Sequence, residues 1–93
     1  MFKKLNPLLH SQLRLAIMSL LVSDEKAEFT YIKEVTKATA GNISVQIQKL
    51  EEAGYLTVKK TFKNNYPNTT AHLTPKGLNA FEEYVNALKE YIK

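Results

Sequence analysis

Between Thr39 and Pro67 the hydrophobic repeat changes from helical to extended across a single glycine, and this most limits what the chain can fold into. Ile43, Ile47 and Leu50 are spaced four and three apart, so they share one face of a helix over residues 40–53. Thr39 is placed to cap that helix, with Gly41-Asn42 in its first turn. Gly54, just after Glu52-Ala53, supplies a left-handed stop. From Tyr55 the period becomes two: Leu56, Val58 and Phe62 share a parity that Lys60 interrupts. Residues 69–74 form a second strand candidate with Leu73 inward. The polar stretch Lys63-Asn64-Asn65-Tyr66-Pro67-Asn68 joins the two as a hairpin with a somewhat long loop. The segment therefore predicts a helix followed at once by an antiparallel hairpin with a basic far end.

The flanking segments complete the pattern. Asn6-Pro7 can open a short helical turn. Ser11 caps a helix whose apolar face is Leu13, Ala16, Ile17, Leu20 and Leu21, ended by Ser23-Asp24-Glu25. Phe29 adds a very short strand, and Thr30 caps a second helix with Tyr31 or Ile32, Val35 and Ala38 inward. The tight corner before residue 40 makes a helix-turn-helix. Thr74-Pro75 is a cap with proline at the first helical position. The last helix, residues 75–93, carries Leu78, Phe81, Val85, Leu88 and Ile92 with Tyr84 and Tyr91 beside them. The expected fold is α+β, one domain over residues 1–93, in the order α-α-(short β)-α-α-β-β-α.

Composition narrows the function classes. With no cysteine, disulfides, thiolate metal sites and cysteine nucleophiles are excluded. No apolar run approaches the ~20 residues of a membrane span, nor is there a signal-like apolar segment, so the expectation is a cytoplasmic protein without a membrane partner. His10 and His72 read as surface or strand residues, and the adjacent acids Asp24-Glu25, Glu51-Glu52 and Glu82-Glu83 do not face each other. No catalytic residue, metal ligand or cofactor site is expected, and no residue points to a small-molecule effector. The net charge of +4 is unevenly spread: residues 1–22 and 54–76 hold lysines and arginine without any acid. Such basic blocks attract a polyanion.

Around the face set by Ile43, Ile47 and Leu50, a step of 100° per residue turns Gly41, Val45, Gln48, Lys49 and Glu52 outward. Asn42 and Ser44 lie on the flanks, and Gln46 is only partly outward. Gln48 can bind adenine through two hydrogen bonds, Lys49 can reach guanine or phosphate, Ser44 can contact base or backbone, and Val45 suits a thymine methyl. Gly41 and the free amides of the helix start could seat a phosphate. Glu51 and Glu52 repel the backbone, so the last turn should tilt away from DNA. By itself such a face also fits a plain solvated helix. Lys59, Lys60 and Lys63 on the hairpin, with Asn64 and Asn65 at its loop, favour the DNA reading.

Here the chain resembles the winged-helix DNA-binding transcriptional regulators of the MarR and ArsR types. The resemblance runs from about Leu5 to Leu88 and rests on SQLRLAIMSLL, GNISVQIQKLEEAGYL, YPNTTAHLTPKG and AFEEYVNAL. It implies a homodimer on pseudo-palindromic operator DNA, helix 40–53 in the major groove and wing 59–68 on the backbone or minor groove, with repression the simpler effect. Position by position, it implies that Gly41, Asn42, Ser44, Val45, Gln48 and Lys49 lie on the recognition helix and Lys59, Lys60, Lys63, Asn64 and Asn65 on the wing. Arg14 matches a first-helix arginine that reaches the DNA backbone or braces the fold. Two departures stand out: many relatives carry histidine where Gln46 stands, and basic residues near Asn64 and Asn65. The alternative is a winged-helix protein-interaction module without sequence-specific DNA binding.

The last helix offers more apolar surface than a small core needs. Phe81, Tyr84, Val85, Leu88, Tyr91 and Ile92 widen one stripe, and Met1, Phe2, Leu5, Leu8 and Leu9 add an N-terminal patch without an obvious internal partner. A homodimer packing these surfaces together is expected.

Overall fold

The computed structural model describes residues 2–92, which fold in the order α1 (Gln12–Asp24), β1 (Lys26–Glu28), α2 (Phe29–Thr36), α3 (Ala40–Glu52), β2 (Leu56–Lys63), β3 (Tyr66–Leu73) and α4 (Pro75–Leu88). The strands form one antiparallel sheet in the order β1-β3-β2. Ile17, Met18 and Leu21 of α1, Ile32 of α2, Ile43, Ile47 and Leu50 of α3, Leu56 and Ala71 form the core. Met1 and Lys93, included above in the apolar patch and the last helix, lie outside the described residues.

The first expected helix is a turn. Leu9 and His10 both donate their backbone N–H to the Asn6 carbonyl, at 3.1 and 2.9 Å. The Leu8 carbonyl, which a continuing helix would use, instead accepts Arg14 Nε at 2.6 Å. Nucleation alone does not sustain one turn, so it stops there. Ser11 is the N-terminal residue bounding α1, but its hydroxyl makes no capping bond.

The short strand lies one step earlier than Phe29. Lys26, Ala27 and Glu28 pair with His72, Ala71 and Thr70, and Phe29 already begins α2. Glu28 therefore bounds that helix, and Thr30 is an exposed residue inside it. With only one flank of so short a helix packed, Ile32 is buried while Val35 is 47% exposed and Tyr31 also faces outward. Val35 is thus no core residue.

Thr39 Oγ1 accepts the Asn42 N–H at 3.2 Å, as its position before α3 requires. At the other end Gly54, at φ 81°, donates to the Glu51 carbonyl while Tyr55 donates to that of Leu50. These two bonds make a Schellman stop.

The hairpin is tighter than the turn-rich loop suggested. Pairing continues to Lys63 opposite Tyr66, leaving only Asn64-Asn65 to turn the chain, with φ of 53° and 66°. Asparagine enters the left-handed region more readily than most residues, and two such residues in succession make the turn that matches strand twist. Pro67 is accommodated because it lies opposite Phe62, next to the bonded closing pair, where its nitrogen points away from β2. Phe62 keeps the inward parity but projects beyond the core and is 79% exposed. The molecule measures 53 × 25 × 21 Å.

Helix α4 is shorter and rotated relative to expectation. It ends at Leu88, followed by tighter turns from Glu90 to Ala87 and from Tyr91 to Leu88. Its buried face is Gly77, Tyr84 and Ala87. Gly77 sets that rotation: a Cβ there would lie 2.0 Å from the Tyr55 carbonyl oxygen, so only glycine allows the approach. The Thr74 hydroxyl accepts the Gly77 N–H at 3.0 Å and donates to the Gly54 carbonyl at 2.6 Å, joining the start of α4 to the end of α3.

The rotation corrects the expected dimer surface. Tyr84 is 4% exposed and Leu9 fully buried, so both belong to the core of the single chain. Leu5, Leu8, Phe81 and Leu88 are partly buried against that core, Val85 is half-buried, and Leu78, Tyr91 and Ile92 are exposed. The N-terminal arm does find internal partners. Phe2 stacks on Tyr91 with ring centroids 4.9 Å apart, Tyr91 donates to the Lys3 carbonyl at 2.7 Å, and Asn6 Nδ2 donates to the Tyr55 hydroxyl at 2.9 Å.

Candidate nucleic-acid interface

Burying Ile43, Ile47 and Leu50 leaves Gly41, Asn42, Ser44, Val45, Gln48 and Lys49 exposed along the other side of α3. All the expected recognition-helix residues are therefore on the surface. Glu51 and Glu52 are exposed too, at the C-terminal end. Gln48 Nε2 donates to Glu52 Oε1 at 3.3 Å, an exposed contact that a stronger partner could replace.

Strand register divides the wing lysines between two faces. Lys60 pairs with Thr69 on the side of Leu56, Val58 and Ala71, toward the helices. It lines a groove of about 320 Å³ with Ser44, Gln48 and Glu51 of α3 and with Thr69. Lys59 and Lys63 have the opposite parity and stand on the outer face of the sheet. There Lys63 Nζ meets Glu28 Oε1 at 3.4 Å, a solvent-exposed pair of little energetic weight. Asn64 and Asn65, at the exposed tip, are fixed first by the turn they must make. This division is already present in the sequence parity, where Lys60 interrupts the set of Leu56, Val58 and Phe62.

The outer face also holds His72, on the same side as Lys59 and Lys26. Burial, and secondarily the charges of Lys59 and then Lys26, hold its pKa below the ordinary 6.5. Its partners across the sheet are Lys26 and Thr57, so it stands on a strand surface. Among the described residues, no group of three or more His, Asp or Glu is placed to hold a metal ion. Nor is any helix among them long and apolar enough to cross a membrane.

Arg14 spans α1 and α3. Besides binding the Leu8 carbonyl, it donates Nη1 to Gln46 Oε1 at 2.5 Å, and Gln46 Nε2 donates to Asn42 Oδ1 at 2.9 Å. Of the two roles expected for this arginine, these contacts are those of a brace. Gln46, half-buried, has a part that reading outward residues alone did not reveal.

A helix exposed after a tight corner, with a twisted hairpin beside it and a helix behind, defines a winged helix-turn-helix regulator domain. The chain belongs to the winged helix DNA-binding domain family, whose family model matches residues 13–92. It is a small domain of that winged-helix type, and the match takes in α1 to α4, the α3 face and the wing included. An uncharacterized protein of Methanocaldococcus jannaschii is 34% identical over 84 residues, covering 90% of this chain and 91% of that protein. The solved structure of a transcriptional regulator homologue from Pyrococcus horikoshii superposes with a TM-score of 0.85 at 30% identity, covering 91% of this chain and 84% of that one. The transcriptional regulator BldR from Sulfolobus solfataricus shares the fold, with a TM-score of 0.75 at 23% identity over 88% of this chain and 58% of its own.

Proposed function

We propose that the chain is a homodimeric transcriptional regulator of pseudo-palindromic duplex DNA, acting by repression. Helix α3 enters the major groove, and the wing of residues 59–68 rests on the backbone or in the minor groove. The observation that carries this reading is the uncovered row from Gly41 to Lys49, flanked by the groove in which Lys60 faces Ser44 and Gln48. Val45, Gln48 and Lys49 are the base readers, whereas Gly41, Asn42 and Ser44 meet the backbone or a flanking base. Lys60 takes the phosphate nearest α3, with Lys59 and Lys63 reaching from the far face of the wing. The copies meet through Leu78, Phe81, Val85, Leu88, Tyr91 and Ile92 of the C-terminal segment, with Leu5 and Leu8 beside them. The family membership and the regulator homologue from Pyrococcus horikoshii support a DNA target.

Selection from random duplex DNA at low salt, followed by footprinting, tests the reading. A two-fold symmetric motif is expected. With Gln48→Ala, preference for that motif over a scrambled duplex should fall about tenfold, on the scale of one base contact. Equal weakening on every duplex would remove Gln48 from the base readers. Absence of any enriched sequence, with a stable hetero-complex in pull-down, would favour a protein-interaction module instead.

A further inference from the structure

Behind the exposed face of α3 runs a hydrogen-bond chain with a fixed direction. Arg14 Nη1 meets Gln46 at 2.5 Å, and Gln46 meets Asn42 at 2.9 Å. A guanidinium has donors and no acceptor, so the Gln46 atom facing it must be the amide oxygen. The Gln46 nitrogen is thereby turned to Asn42, and the atom of Asn42 that can accept from it is Oδ1. Asn42 Nδ2 is left unengaged by this chain, on an exposed residue in the first turn of α3. The guanidinium itself is pinned, because Nε is held by the Leu8 carbonyl at 2.6 Å next to the fully buried Leu9.

We propose that Arg14 and Gln46 are positioning residues that fix the polarity of Asn42, so that α3 presents a hydrogen-bond donor to DNA at that position. An asparagine free to turn can offer donor and acceptor together, as adenine requires. The tethered Asn42 suits an acceptor alone: guanine N7 or O6, thymine O4, or a phosphate oxygen. This inference rests on the reading of α3 as the DNA-facing helix.

The test uses the full chain labelled with ¹⁵N, with and without the duplex selected by the native protein. In the native chain, the Asn42 Nδ2 protons should shift on adding duplex while those of Gln46 stay in place. In Gln46→Glu the introduced carboxylate still accepts from Arg14 but has no N–H for Asn42. The Asn42 amide should turn, donate to that carboxylate in the free chain, and expose its oxygen. Its Nδ2 protons should then respond no further to duplex. If Asn42 reads a base, preference at one position should move toward adenine or cytosine by on the order of tenfold. If it binds phosphate, affinity should fall by a similar factor on every sequence. Arg14→Lys, which keeps a donor for Gln46, should retain the native amide pattern, and Arg14→Met should lose it. Native Asn42 protons unmoved by a duplex that shifts the rest of α3 would overturn the inference alone. So would Gln46→Glu with native affinity and base preference. A native chain that binds no duplex would overturn the underlying DNA reading, and the inference with it.

Discussion

Gly77 shows how much one missing methyl group can decide. The Tyr55 carbonyl occupies the space a Cβ would need, so Gly77→Ala must push α4 away from the Tyr55 backbone or distort its first turn. A loss of about 3 kcal/mol is expected, read as a lower urea midpoint. His72 gives a residue-scale prediction of opposite character. Its pKa is lowered in the folded chain by burial, Lys59 and Lys26, so the unfolded chain takes up the proton at higher pH. The associated stability is intact above pH 6.5 and declines as pH falls through the lowered folded value. Thermal melting should therefore drop less between pH 8 and pH 5 in His72→Gln than in the native chain, with those two values taken as roughly bracketing the ordinary histidine pKa. Sequence alone offered neither expectation. Gly77 follows a helix cap like many ordinary glycines, and His72 looked like any strand histidine until the register brought two lysines to its face.

At the scale of elements, α3 was legible because buried and exposed residues alternate at the helical period, and Thr39 and Gly54 mark its ends chemically. The hairpin was legible in kind and less so in detail. Asn64-Asn65 make a two-residue turn in place of a longer loop because both enter the left-handed region, which extends the pairing to Lys63 and Tyr66. That register separates the wing lysines and gives a prediction. Lys60→Ala should reduce the slope of log affinity against log salt by about 1, the value for one lost phosphate contact. Lys59→Ala, on the outer face, should reduce it less. Equal slopes for the two variants would show that the wing does not approach DNA from its α3 side.

At the scale of the whole molecule, the apolar residues of α4 form two sets. Tyr84 and Ala87 face the core of their own chain, while Leu78 is exposed and Phe81 and Val85 are half-buried at the margin. The remaining stripe is proposed to meet a second copy, which would set two α3 helices about one DNA turn, ~34 Å, apart. Sedimentation equilibrium at micromolar concentration should give a dimer, and Val85→Glu should shift it to monomer without lowering helix content. A native chain that remains monomeric at all salt concentrations would sink this arrangement. Loss of the dimer should also weaken binding to a two-site operator far more than to a half-site, because linkage of two contacts is what multiplies affinity.

The sequence by itself determined the local grammar: a helix from Ile43 to Leu50, its cap and stop, a basic hairpin, and a proline-started final helix. These follow from periodicity and from backbone preferences of single residues, which act over a few positions. Tertiary structure decided the rotation of α4, the burial of Leu9 and Tyr84, and the bracing of α3 by Arg14 through Gln46. Each of these depends on residues far apart in the chain meeting at a few ångströms, as Gly77 meets Tyr55 and Arg14 meets Gln46. Period and composition do not encode such distances; close packing and hydrogen-bond direction do.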